Sequence, residues 1–162
     1  MAATLITVTG ADGLARLGRA LRQAGRNDLR KELLRGVRRA SKPMVPAARA
    51  AALEGLPKRG GLAADVSGAK WVVRTRLQGR GAGVRITGAW SSDGRQHDLS
   101  KMDSGVIRHP TWGRRGIGDW EAQTAGVRAR WFSDAMNALA PEIREELAKV
   151  IDDVAQKLED SV

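Results

Sequence analysis

The chain has 162 residues, a formal net charge of +10, 42% hydrophobic and 28% charged residues, the size and balance of one folded domain (1–162) and not of a disordered tail. It contains no cysteine, which excludes disulfide staples, thiolate metal sites and cysteine nucleophiles. No run approaches the roughly 20 apolar residues of a membrane span and Met1-Ala2-Ala3-Thr4 lacks a signal-peptide pattern, so synthesis in the cytoplasm is expected, with no membrane partner.

In chain order, Leu5-Ile6-Thr7-Val8-Thr9 before Gly10 predicts an opening strand, and Leu14, Leu17 and Leu21 predict a helix after it. Over 28–53, Leu29, Leu33, Leu34, Val37, Ala40, Met44 and Ala48 share one face of a long amphipathic helix, with Asp28 placed as its N-cap. Pro43 and Pro46 are expected to kink or divide it. Residues 55–61, rich in Gly and Pro, read as a loop, and the period then changes to alternation, where a sheet is expected to begin. The runs 71–77 and 83–88 flank Gly79-Arg80-Gly81 and predict a hairpin.

Residues 91–104 are polar and aperiodic and predict a surface loop that orders against a partner. A short strand at 105–108 leads into a second basic loop at 109–118, then a brief strand from Trp120. Phe132, Met136, Leu139, Ile143, Leu147, Val150, Ile151, Val154 and Leu158 recur at helical steps, with Pro141 expected to kink this last helix or begin its second half. The expected fold is α+β: a small antiparallel sheet with a central hairpin, packed by long N-terminal and C-terminal amphipathic helices.

Charge is divided along the chain. Arg30, Lys31, Arg35, Arg38, Arg39 and Lys42 crowd the polar face of the N-terminal helix, whereas Glu142, Glu145, Glu146, Asp152, Asp153, Glu159 and Asp160 outweigh Arg144, Lys149 and Lys157 in the C-terminal one. The basic face could track a nucleic-acid backbone, or be a solvated face without stacking aromatics. It could equally meet the acidic helix of the next copy in a head-to-tail ring, or the acidic helix of its own chain. Trp90, Trp112, Trp120 and Trp131 fall in or beside loops, and Trp with Arg is the pairing enriched at interfaces; one or two of them are also expected in the core.

His97 and His109 stand without a metal-ligand or triad spacing, so neither metal, cofactor nor catalysis is expected; a hydrolase using one of them is the remote alternative. Gly79-Arg80-Gly81-Ala82-Gly83 lies between two strands, which favours a hairpin turn over a phosphate cradle.

The order of these pieces resembles the tail-component, or tail-completion, family of neck proteins of long-tailed phages. The pieces are the basic 33–46 stretch, the 71–88 hairpin, His109-Pro110-Thr111-Trp112-Gly113, Trp120 with Gln123, and Trp131-Phe132 opening the last helix. The 114–118 stretch after the His-Pro element is longer than the family pattern. The resemblance implies a structural virion protein of the head–tail connector. It would form a ring, six-fold by preference, that joins the connector or stopper to the tail terminator or tail tube. It also implies that Trp90, His109, Pro110, Trp112, Arg114, Arg115 and Trp120 dock onto neighbouring rings, with non-specific DNA in the lumen as a further contact. The alternative is a basic, sequence-independent nucleic-acid-binding protein.

Overall fold

The computed structural model describes residues 3–8, 11–79, 82–92, 95–97, 99–110, 120–124 and 126–161, with backbone alone for 3–8, 11–12, 92, 95–97, 108–110 and 120–123. Strand β1 (Ala3–Val8) is followed by helix α1 (Ala11–Gln23), whose Leu14, Leu17 and Leu21 are all buried, as their spacing requires. Helix α2 (Asn27–Ala40) buries Leu29, Leu33, Gly36, Val37 and Ala40. The long N-terminal helix is divided, as the prolines predict: a turn at 41–43 separates α2 from α3 (Met44–Gly55). The buried Ser41 donates its hydroxyl proton to the Arg38 carbonyl at 3.1 Å, satisfying an acceptor that the ended helix leaves over. Pro46 falls in the first turn of α3, where a missing N–H costs no intrahelical bond.

The sheet does not begin directly after the 55–61 loop. A short helix, α4 (Leu62–Ser67), comes first, because Ala63 and Val66 have a buried surface to reach. Strands β2 (Lys70–Arg76) and β3 (Gly83–Ser92) then form the expected hairpin, in register from Lys70 opposite Ala89 to Arg76 opposite Gly83. β1 adds antiparallel on the other side of β3 with an irregularity between Thr4 and Ile6, giving the order β1-β3-β2.

The described residues of 91–104 form regular elements where a surface loop was expected. β3 runs on to Ser92, β4 (Arg95–His97) pairs with it, and α5 (Leu99–Asp103) buries Leu99 and Met102. A separate two-stranded sheet joins β5 (Ile107–Pro110) to β6 (Trp120–Gln123), with His109 opposite Glu121 and Pro110 opposite Trp120.

Helix α6 (Trp131–Glu159) closes the fold, running unbroken through Pro141 and packing against both α2 and α3. Two glycines allow this close approach. A Cβ on Gly36 would lie 2.4 Å from a Val150 methyl, and one on Gly55 would lie 2.2 Å from Trp131 Cβ. One hydrophobic cluster joins Leu33, Val37, Ala48, Ala52, Trp71, Val84, Ile86, Leu99, Phe132, Met136, Ile143 and Leu147. At its centre the Trp71 ring stacks on Phe132 at 5.3 Å, Trp131 meets Phe132 edge-on at 5.8 Å, and the Trp71 indole N–H donates to the Val66 carbonyl at 3.2 Å. Each such aromatic pair adds about 0.5–1.5 kcal/mol beyond its area burial. The architecture is α+β, with helices packed on one face of a small antiparallel sheet.

Candidate functional site

The basic face predicted on the N-terminal helix survives as a narrower stripe. Lys31, Arg35, Arg38 and Lys42 recur at steps of four, three and four along α2 and its following turn, all exposed, with exposed Arg39 beside them. At 1.5 Å rise per residue the stripe is about 16 Å long. Arg35 Nε donates to the Lys31 carbonyl at 3.5 Å, which lays the guanidinium back along the helix. Arg30 departs from the predicted face: it is half-buried, and its Nε is enclosed without a hydrogen-bond partner among the described residues. The helix start is also different from the expected one. Asp28 lies inside the first turn, and the Arg26 guanidinium grips its carboxylate through bonds of 2.8 and 3.1 Å. That bond, followed by the backbone N–H of Leu29, lowers the Asp28 pKa to about 2.

On α6, Glu142, Glu145, Lys149, Asp152, Gln156 and Glu159 follow steps of three and four and are exposed, a second stripe of about 26 Å. Lys149, the one cation in it, is held by Glu146 at 2.8 Å and Glu145 at 3.1 Å, and these hydrogen bonds, that of Glu146 first, raise its pKa. The stripe therefore reads as acidic.

The two helices do pack within the chain, but through their apolar faces, with Gly36 of α2 against Val150 of α6. The ion pair between them, Lys157 with Glu32, joins the minority charge of each helix. Among the described residues, none of Lys31, Arg35, Arg38, Arg39 and Lys42 makes an ion pair, and neither do Glu142, Asp152, Asp153 and Glu159. Folding uses the apolar faces and leaves the principal charges of both helices facing outward.

The aromatic residues proposed from sequence divide. Trp131 is core, 2% exposed. Trp90 is half-buried: it packs against that core and also lines a surface depression with Lys70, Ala89 and Ser91. Trp120, His109 and Pro110 lie on the paired β5 and β6 backbones, which brings Pro110 and Trp120 opposite one another. Trp112, Arg114, Arg115 and most of the 109–118 loop fall outside the described residues. His97 of β4 pairs with Trp90 of β3, and His109 lies in the other sheet, so the two histidines are on separate sheets. Among the described residues, no three His, Asp or Glu side chains are grouped as metal ligands, and no helix is long and apolar enough to cross a membrane.

One surface was not anticipated from the sequence. Along β2 and β3 the buried Trp71, Val84, Ile86 and Gly88 face the helices, while Lys70, Arg74, Arg76 and Arg85 occupy the alternate, exposed positions. The signal was present as alternation within each run. Only the antiparallel register, which sets Arg74 directly opposite Arg85, brings the cations together. No family model, curated protein or solved structure matches the chain.

Proposed function

We propose that the chain is a structural virion subunit of a phage head–tail connector, assembling head to tail into a ring that joins the head connector to the tail terminator or tail tube. The observation that carries this reading is the pair of oppositely charged stripes, on α2 and α6, that one fold exposes and leaves largely unpaired within itself. A patch that complements a different patch on the same body generates a heterologous contact, and repeated heterologous contacts close into a ring when the rotation allows. The resemblance of the order of sequence pieces to the tail-completion family suggests the setting, the neck of a long-tailed phage, and its six-fold symmetry. In that setting the 109–118 loop and the β5–β6 backbone contact the rings above and below, and the work done is assembly without a reaction or cofactor.

Quantitative mass spectrometry of purified virions, scaled to the portal protein, tests the reading directly. A small, ring-sized copy number is the expected result, with six favoured. Absence from intact virions overturns it and leaves the second reading, a sequence-independent nucleic-acid-binding protein, which the high positive charge favours.

A further inference from the structure

We propose that the contact between neighbouring copies continues beyond the charged stripes onto an apolar patch, with the outer face of α3 on one copy against Ala138 and Pro141 of α6 on the next. The proposal rests on the head-to-tail reading above and supplies the part of that contact that salt does not screen. Helix α3 is apolar almost all round: of its twelve residues only Arg49 and Glu54 are charged. Met44, Ala48, Ala51, Ala52 and Gly55 are buried, yet Pro46, Ala50 and Leu53, at steps of four and three on the opposite side, are exposed. Leu53 is 45% exposed, the one large hydrophobic side chain so placed among the described residues. A helix without a polar face is ordinarily covered on all sides. Exposed Arg49 and Glu54 flank the row, which gives the apolar centre and charged rim of a protein interface.

What covers the row follows from continuity and height. Ser41 and Pro43 keep right-handed helical angles through the turn, so the steps of Lys31, Arg35, Arg38 and Lys42 carry on into Pro46, Ala50 and Leu53. The α6 stripe carries on in the same way, since exposed Ala138 lies four residues before Glu142, with exposed Pro141 beside it. Within one copy, α2 and α3 run antiparallel along α6: Glu32 pairs with Lys157, Gly36 packs on Val150 and Gly55 on Trp131. The charged halves of the two outer faces therefore lie level with one another, and so do the apolar halves. With the ring axis parallel to these helices, rotation keeps every height. The copy that brings acidic residues to the basic stripe then also brings Ala138 and Pro141 to Leu53. Alanine at both 50 and 138 lets the two backbones approach to helix-packing distance, about 8–10 Å between axes.

The chain has no cysteine, so single introduced cysteines report the contact without background. Ala50→Cys and Ala138→Cys chains, mixed at low ionic strength under mild oxidation, are expected to give a disulfide-linked dimer containing one of each, because a disulfide needs Cα atoms within about 7 Å. Neither chain alone should cross-link to itself. A dimer from Ala50→Cys alone would mean that two α3 faces meet symmetrically, and overturns the proposal.

Sedimentation velocity over a salt series separates this patch from the stripes. Leu53→Ala should weaken assembly about 5-fold at every salt concentration, since roughly half of a leucine side chain remains to be buried. Lys31→Gln should instead make assembly less salt-dependent. Because Leu53 lies outside the core, Leu53→Ala should leave the melting temperature at high salt, where the chain is monomeric, unchanged. A wild-type oligomer that yields no mixed cross-link, or one indifferent to Leu53→Asp, overturns the apolar contact and leaves the ring reading standing. A wild-type chain that stays monomeric at low salt overturns both.

Discussion

Asp103 holds together two parts of the chain that are distant in sequence. α6 is preceded by its N-cap Arg130, a non-glycine residue with φ of 60°, which makes no side-chain cap bond. The Asp103 carboxylate replaces that cap: one oxygen accepts from the Phe132 N–H at 2.8 Å and the Ser133 N–H at 3.1 Å, and the other accepts from the Ser133 hydroxyl. Negative charge at a helix N-terminus also complements its dipole. Asp103→Ala is therefore expected to lower the unfolding free energy by about 1–2 kcal/mol, read by urea denaturation. Asp28 makes a different prediction. Because its folded pKa is depressed from 3.8 to about 2, its stabilising contribution is fully present above the unfolded value and is lost as the pH falls through about 2. A carboxyl titration followed by NMR should give that midpoint, and Arg26→Ala should return it toward 3.8. Neither role was legible in the sequence. An aspartate before an apolar run reads as an N-cap, and the competing Arg26 contact is set by the turn geometry at Gly25, whose φ is 66°. The capping partner of α6 lies 29 residues from Phe132, beyond any local pattern.

At the scale of elements, the long periodic segments were legible because one face of each must be buried. The leucines of α1, the apolar row of α2 and the steps of α6 all end in the core. α4 and α5 were not legible. A helix of five or six residues has too few turns to show a period, and Leu99 and Met102 of α5 sit among polar neighbours that resemble a loop. Pro141 was read as a kink or the start of a second half; α6 is one continuous helix through it, so no separate helix starts there. Buried Met136 and Ala140 on one side, and Ile143 and Leu147 on the other, dock both halves onto the same core. That docking outweighs the lost hydrogen bond, since the Asn137 carbonyl has no N–H to accept from at position 141. Pro141→Ala should then raise the unfolding free energy by about 1–3 kcal/mol, because the exposed ring makes no core contact that alanine would lose. A lower stability by thermal or urea unfolding would mean that the proline sets a bend on which the α3 and α2 contacts depend.

For the whole molecule, the division of charge between the two ends of the chain was visible in the sequence, but not whether folding would cancel it. The structure brings α2 and α6 together through apolar faces and leaves both stripes exposed, which is what the proposed head-to-tail contact requires. Contacts between such stripes weaken as the screening length falls from about 30 Å at 0.01 M salt to about 10 Å at 0.1 M. Native mass spectrometry at low ionic strength should accordingly find an oligomer that dissociates as salt is added. Reversing one stripe, with Lys31→Glu/Arg35→Glu/Arg38→Glu, makes both surfaces acidic and should give monomers. Reversing the other, with Glu142→Lys/Glu145→Lys/Asp152→Lys, makes both basic and should do the same. Mixed together, each variant supplies the surface the other lacks at both ends, so assembly should return as alternating rings, which close only with an even number of copies. Six satisfies that condition. Variants that each assemble alone, or a mixture that stays monomeric, would show that the stripes do not form the contact between subunits. Docking would then have to fall to the β5–β6 side of the molecule.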